Sequence, residues 1–488
     1  MRLYVTTAIP YVNAAPHLGH ALELVQADVL ARHRRLRGAP VRLLTGTDDN
    51  ALKNVAAARA AGVETRAFVD ANAERFAGLR GPLELSFDDF IRTADPRHRR
   101  GVERLWRASA DRDDFYRRSY RGLYCPGCEQ FVDGPCPEHP GEPEVVEEVN
   151  WFFRLSRYTG QILGALERGA VRIEPAARRN EVLAFVRDGL RDISVSRPAA
   201  RAGGWGIPVP GDPGQVVYVW WDALANYVTA LDGALYDEWW AGDGERIHVI
   251  GKGIVRFHAV YWLALLLSAG RPLPTAIFVH DYLTAGGAKL SKSAGNAVDP
   301  VELAGRYGVD ALRWWLLREV PPVGDTDFTE QRLIQRADRE LANGLGNLVN
   351  RTLTLVHRNA GGRVRRAGGP AGAAALLAGR VDRALGRFDL RAATDALWAV
   401  VEEGNRLVET ARPWQLTGAE LDEVLGILVY ICRILATELR PFLPGAAARL
   451  GAQLGTGAEV GDPAPAFERL SRRRESPAAS PGPARTSG

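Results

Sequence analysis

The chain has 488 residues, with 62 Lys and Arg against 58 Asp and Glu and a formal net charge of +4. That length accommodates roughly two to four domains with sizeable cores, and the near balance of charge excludes a histone-like basic binder while leaving room for a local basic patch that holds RNA. No stretch approaches eighteen uninterrupted apolar residues, and the N-terminus lacks a basic-then-apolar leader, so a cytoplasmic protein with no membrane partner is expected.

Leu3–Thr7 is strand-like, and from His20 onward Leu22, Val25, Val29 and Leu30 recur at helical spacing. The spacing predicts a helix over about 19–37, closed by Arg32, Arg34, Arg35 and Arg37 before Gly38. Between strand and helix lies Ala14-Ala15-Pro16-His17-Leu18-Gly19-His20, where Pro16 suits a helix start. Backbone N–H groups and the helix dipole at such a place favour phosphate, and Gly19 leaves space for a flat base. Two histidines there can equally cap the helix or hydrogen-bond within a core. Val41–Thr45 reads as a second strand, and the βαβ pattern points to a Rossmann-like parallel sheet with the histidines at its switch point. Asp48 follows that strand, placed either to hold an ammonium group or to cap the next helix.

Three of the four cysteines lie between 125 and 136 and the fourth is Cys432, so no long-range disulfide framework exists. Cys125-Pro126-Gly127-Cys128 and Cys136-Pro137-Glu138-His139 are separated by seven residues, the pattern of a closed, structural Cys₃His zinc site. A redox pair or unligated thiols are the alternatives. Trp205–Pro210 is read as returning the chain to the sheet, and Val216–Tyr227 as a buried strand running into a helix. Trp220, Ala223 and Tyr227 fall near one face, which on its own is a core pattern. Ile247–Ile254 and Ile277–His280 are further strands, the second leading into Gly286-Gly287 and Lys289-Leu290-Ser291-Lys292-Ser293. Two lysines on a glycine-flanked loop suit a mobile clamp on a triphosphate, or are simply solvated. From Phe328 to about 450 the period is helical and leucine-rich, predicting an α-helical bundle with breaks at Gly361-Gly362 and Gly368-Gly369-Pro370. Beyond 465 the composition is that of a disordered tail.

The His17–His20 and Lys289–Ser293 stretches resemble, in order and separation, the HIGH and KMSKS signatures of class I aminoacyl-tRNA synthetases. Their flanks, Tyr11-Val12-Asn13 through His20 and Thr45-Gly46-Thr47-Asp48, look like those of the methionyl-tRNA synthetase family, and the resemblance runs from about residue 3 to about 450. It implies an α/β fold with a Rossmann-like catalytic domain in two halves, 1–113 and 206–273. A connective insertion with a zinc knuckle would occupy 114–205, the lysine loop and stem-contact region 274–335, an α-helical anticodon-binding domain 336–464, and a disordered tail 465–488.

The resemblance further implies a methionine–tRNA ligase working on L-methionine, ATP with Mg²⁺ and tRNA(Met), as a monomer with one structural Zn²⁺ on Cys125, Cys128, Cys136 and His139. His17, Gly19, His20, Lys289, Ser291 and Lys292 would hold ATP, the two histidines and two lysines acting on its phosphates during reaction. Asp48 would hold the substrate ammonium, and Ile9, Tyr11, Trp220, Ala223, Tyr227 and His258 would read the side chain. Asn347, Arg351 and Trp414 match anticodon-reading positions, although a helix-interior Asn, a surface Arg and a core Trp are each common. Two stretches depart from the family: Asp48-Asp49-Asn50-Ala51 stands for Asp-Glu-His-Gly or Asp-Ala-His-Gly, and Gly251-Lys252-Gly253-Ile254 for Gly-Lys-Asp-Ile. The alternatives are a paralogue activating methionine or a related amino acid for a biosynthetic acceptor or as an inhibitor-resistant duplicate, and a non-catalytic tRNA-binding relative.

Overall fold

Leu3, Tyr4 and Val5 are almost wholly buried because their strand, β1 (Arg2–Thr7), runs through the middle of a parallel sheet. The computed structural model describes residues 1–125, 130–132, 134–135, 142–290, 297–369 and 372–471, and at 130, 131 and 289 the backbone alone. Two compact units divide the chain. The first holds Met1–Val301, Pro321–Thr326 and Gly386–Asp389; the second holds Glu302–Val320, Asp327–Leu385 and the chain from Leu390 onward.

In the first unit the sheet also contains β2 (Val41–Thr47), β3 (Asp89–Arg92), β4 (Arg172–Glu174), β5 (Gly244–Gly251) and β6 (Ala276–His280), in the order β3-β2-β1-β5-β6-β4 with every pair parallel. Val5 lies opposite Leu43 on one side and Ile247 on the other. The chain leaves β1 toward β2 and only much later takes the opposite side with β5, which makes the β1/β5 boundary the switch point of a Rossmann-like α/β sheet. Helix α1 (Leu18–Leu36) is the crossover from β1 to β2, within a residue of its expected limits at both ends.

Two segments pair otherwise than expected. Pro208–Val209 and Asp212–Val217 do not rejoin the parallel sheet; they form a separate three-stranded antiparallel sheet with Ser196–Pro198. Only the last three residues of Asp212–Val217 are buried, too few for a strand covered on both faces, and Gly211, at φ +82°, turns the chain into a hairpin. Conversely β4, inside the span 114–205, lies beside Ala276–Phe278 and supplies one edge of the main sheet. The same span contains a long antiparallel ribbon, Phe115–Cys125 against Glu144–Phe153. Helix α2 (Pro96–Ala110) brings Trp106 onto Phe115, stacked at 4.3 Å, and Trp221 of α3 (Val219–Leu224) meets Phe115 and Phe153 edge-on at 5.3 and 4.9 Å. The short helix α4 (Asn226–Thr229) follows at once.

The second unit is helical, as the leucine periodicity predicts. A π-helical stretch, Ala337–Gly346, runs directly into α5 (Asn347–Ala360), and α6 (Leu390–Ala411) and α7 (Gly418–Glu438) pack with it. Gly344 has no side chain where a Cβ would stand 2.4 Å from Trp398 Cη2, and Asn405 Nδ2 donates to its carbonyl at 3.3 Å. The fully buried Arg313 donates to Phe442 O at 2.8 Å and Pro441 O at 3.1 Å beyond the end of α7. Among the described residues no helix is long and apolar enough to cross a membrane.

Candidate active site

The two signature histidines cap their own helix. His17, in extended conformation at φ −128°, accepts the Gly19 N–H on Nδ1 at 3.1 Å, and His20 Nδ1 accepts the His17 N–H at 3.1 Å. Pro16 therefore precedes the cap and is not within the first turn. The imidazoles stack with centroids 3.9 Å apart. A Cβ on Gly19 would stand 2.9 Å from His17 Cε1, so the missing side chain makes room for this ring. Burial first, then the neighbouring His17 and His280, hold His20 well below the ordinary imidazole range. Because each Nδ1 accepts, a neutral ring carries its hydrogen on Nε2, where it can be given to a phosphate oxygen. Capping, the blander of the two readings, thus leaves the Nε2 of each ring outside the helix cap.

Across the switch point His280, the last residue of β6, sets Nε2 3.0 Å from Glu23 Oε2 and Nδ1 2.9 Å from Asp281 O. Glu23 is one turn beyond His20, on the same face of α1. Gly251 lies against His280 and Tyr282, and Lys252 Nζ is 2.6 Å from Asp325 Oδ1. Lys289 pairs through its backbone with Thr284, whereas its side chain, Ser291 and Lys292 lie outside the described residues.

Near enough to Glu23 for its charge to act on Tyr227 is an aromatic wall. His258 Nδ1 donates to Ile254 O at 3.0 Å, so its Nε2 accepts the Tyr227 hydroxyl at 2.6 Å. Burial pushes His258 down to about 4 and, together with the charge of Glu23, pushes the Tyr227 hydroxyl up. Trp220 stacks on Phe257 at 3.7 Å and meets Tyr11 edge-on at 6.3 Å. Ala223 is buried, and Ile9 packs half-buried against the same core. Behind Tyr227, His248 accepts the Trp262 indole N–H at 3.0 Å and sits 2.6 Å from Thr6 Oγ1; burial, then His258 and Arg246, hold it well below its ordinary range. The wall is therefore uncharged.

Asp48, at the carboxyl end of β2, is buried, and its Oδ1 accepts from Asn50 N at 3.1 Å and Thr93 Oγ1 at 3.3 Å. Its backbone bridges to Tyr11. Asp49 is held by Arg92 Nε at 2.7 Å, yet burial outweighs that guanidinium and lifts its carboxyl above the usual range. Asn50 donates through Nδ2 to Asp222 Oδ2 at 2.7 Å and to Thr93 O at 3.2 Å. Asp222 Oδ1 in turn accepts from His98 Nε2 at 2.6 Å, and His98 Nδ1 lies 2.7 Å from Thr229 Oγ1. Sequence reasoning did not single out Glu23, His98, Asp222, His248, Phe257 or His280. The available signal was a lone polar residue in an apolar run, as with Asp222 in Val-Trp-Trp-Asp-Ala-Leu or His248 in Ile-His-Val-Ile, because such a group is buried only with a partner.

Of the expected zinc ligands Cys125 is buried at the end of its strand, while Cys128, Cys136 and His139 lie outside the described residues. In the second unit Asn347 is exposed and Arg351 half-buried, four residues apart on α5. Trp414, in the turn Pro413–Gln415, is 54% exposed and so is no core residue.

A family model described as tRNA synthetases class I (M) matches residues 3–142 and 132–353. A methionine–tRNA ligase of Mycobacterium bovis is 42% identical over 481 residues, covering 93% of this chain and 92% of that protein. One from Brucella suis is 40% identical over 470 residues, covering 92% and 91%. The structure of Mycobacterium tuberculosis methionyl-tRNA synthetase in complex with methionyl-adenylate matches with a TM-score of 0.88 and 38% identity over 96% of this chain and 100% of that one.

Proposed function

The chain belongs to the methionyl-tRNA synthetases of class I, and we propose how its own residues carry that family's reaction. It activates L-methionine with ATP to methionyl-adenylate and transfers the methionyl group to tRNA(Met). The methionine carboxylate attacks the α-phosphate, pyrophosphate leaves, and the terminal ribose hydroxyl of tRNA then displaces AMP. No protein group bonds covalently to the substrates, so positioning and charge stabilisation carry the rate.

His17 and His20 give their Nε2 hydrogens to phosphate oxygens at the positive end of α1, with Gly19 completing the turn. Lys289 and Lys292, with Ser291, draw off the pyrophosphate, and Mg²⁺ entering with ATP would supply further charge neutralisation there. The buried Asp48 carboxylate takes the substrate ammonium. Ile9, Tyr11, Trp220, Ala223, Tyr227 and His258 enclose the thioether, for which an uncharged aromatic wall is well suited. Three thiolates and an imidazole suit a tetrahedral Zn²⁺, which Cys125, Cys128, Cys136 and His139 would hold to stabilise the knuckle. Asn347, Arg351 and Trp414 would pair with and stack on splayed anticodon bases, within a helical anticodon domain over 336–464.

The observation that carries this reading is the stacked His17–His20 cap at the sheet's switch point, with the Glu23–His280 pair one turn along α1 and its carboxylate near enough to act on Tyr227 of the Tyr227–His258 wall. The test is ATP–pyrophosphate exchange with each amino acid, followed by charging of initiator and elongator tRNA(Met). Methionine should support both, and Lys292→Ala should lose about 10²–10³-fold in exchange while keeping the circular dichroism of the parent. Near-parental exchange in that variant refutes the clamp.

A further inference from the structure

We propose that Glu23 and His280 are a positioning pair for ATP, an imidazolium cancelling the charge of a carboxylate that would otherwise face the triphosphate. The proposal rests on the reading that ATP lies at the start of α1. His20, His98, His248 and His258 each have a ring nitrogen beside a group that can donate: His17 N–H, the Thr229 hydroxyl, the Trp262 indole and the Tyr227 hydroxyl. His280 has none in its two contacts. Its Nδ1 faces the Asp281 carbonyl and its Nε2 the Glu23 carboxylate, and both of these only accept. With Glu23 ionised both nitrogens donate, and the geometry then fits an imidazolium in a pair that is neutral overall.

The place gives that neutrality a purpose. The side chains of His280 and Glu23 are only 8% and 14% exposed, and Glu23 is a single turn from His20 on the face proposed for phosphate. A bare carboxylate there offsets the positive end of the helix and repels the triphosphate. The titratable groups that face the pair are His20 on α1 and Tyr227 on α4; Asp281 follows His280 directly, and Tyr282, with Lys252 Nζ 4.9 Å from its ring centre, comes next. Asp281 is itself held by Arg178 at 2.6 Å and by Gly324 N–H at 2.6 Å, and Lys252 by Asp325 at 2.6 Å. Among the described residues His280 is therefore the cation in hydrogen-bond contact with Glu23. Held so, Glu23 keeps lone pairs with which to accept from the nucleotide and adds no net charge beside its phosphates.

Two measurements on the full chain test this. In enzyme labelled with ¹⁵N-histidine, the His280 ring, assigned by its loss in His280→Gln, should show both nitrogens protonated near neutral pH, while His248 and His258 show one bare nitrogen each. In ATP–pyrophosphate exchange His280→Gln keeps one donor but no charge. It should raise KM for ATP about ten- to a hundredfold, with KM for methionine and kcat within about twofold. The double variant Glu23→Gln/His280→Gln should recover most of the lost ATP affinity, because no bare carboxylate remains. A purely structural pair predicts a double variant at least as impaired as the single one. A neutral His280 ring, an unchanged KM for ATP, or a double variant no better than His280→Gln overturns the proposal. Absence of methionine-dependent exchange in the unsubstituted enzyme overturns the reading of the site instead, so the two failures are distinct.

Discussion

Taking the pH from about 7.5 to about 5 should weaken the first unit by about 2 kcal/mol through His258 alone. Its ordinary value of 6.5 is depressed to about 4 by burial between Tyr227 and Ile254. The folded ring stays neutral over that range, whereas the unfolded chain takes up a proton below 6.5. The stabilising contribution is therefore complete above 6.5 and is lost as the pH falls toward 4. The full gap is worth about 3 kcal/mol, of which about 2 kcal/mol is spent by pH 5. His20 and His248, depressed in the same direction, steepen the acid limb further. His258→Gln isolates one ring, because a glutamine can accept the Tyr227 hydroxyl and donate to the Ile254 carbonyl without titrating. Urea unfolding followed by tryptophan fluorescence at both pH values should show the variant losing about 2 kcal/mol less than the parent. Equal losses in the two proteins refute the argument that this imidazole is buried neutral.

Asn50→Ala removes the donor to Asp222 Oδ2 and leaves a buried carboxylate oxygen short of a partner. About 1–3 kcal/mol of stability should go with it in chemical unfolding. KM for methionine in pyrophosphate exchange should rise, since the Asn50 side chain also ties to the Thr93 carbonyl the turn whose backbone N–H holds Asp48. Gly344→Ala drives a methyl group to 2.4 Å from Trp398 Cη2 and should lower Tm by an amount equivalent to about 1–3 kcal/mol, while methionine-dependent exchange is retained. Elemental analysis should find one zinc per chain. Stripping it with a chelator should lower Tm, and a purified active enzyme without zinc would sink the knuckle assignment.

Parts of this molecule are plain in its sequence, and the reason is locality. The strand Leu3–Thr7, the helix after it and the strand from Val41 lie within fifty residues, and their apolar periods report only their own burial. The histidine and lysine stretches are legible for the same reason, as short motifs. What joins them is not. His280 meets Glu23 across 257 positions, Asn50 meets Asp222 across 172, and His98 meets Asp222 across 124. No spacing rule predicts such pairs, and only the hydrogen-bond demand of a buried polar group announces that some partner exists. The segment Asp212–Val217 misled because three apolar residues at its end look alike in a parallel and an antiparallel strand. The edge strand Arg172–Glu174 has three residues, one of them buried, which is too little to raise a period above its surroundings.

The position of β1 in its sheet also bears on how the chain comes off the ribosome. One edge of β1 can close on β2 almost at once, but the other waits for Gly244, which stands opposite Arg2. At about 5–20 residues per second, translation leaves that apolar edge open for roughly 10–50 s. An unpaired strand reading Leu-Tyr-Val is a template for any passing extended peptide. Nascent fragments that stall before residue 244 should therefore be the species that chaperones hold and that accumulate in inclusion bodies, while chains released beyond Gly251 have the means to seal themselves.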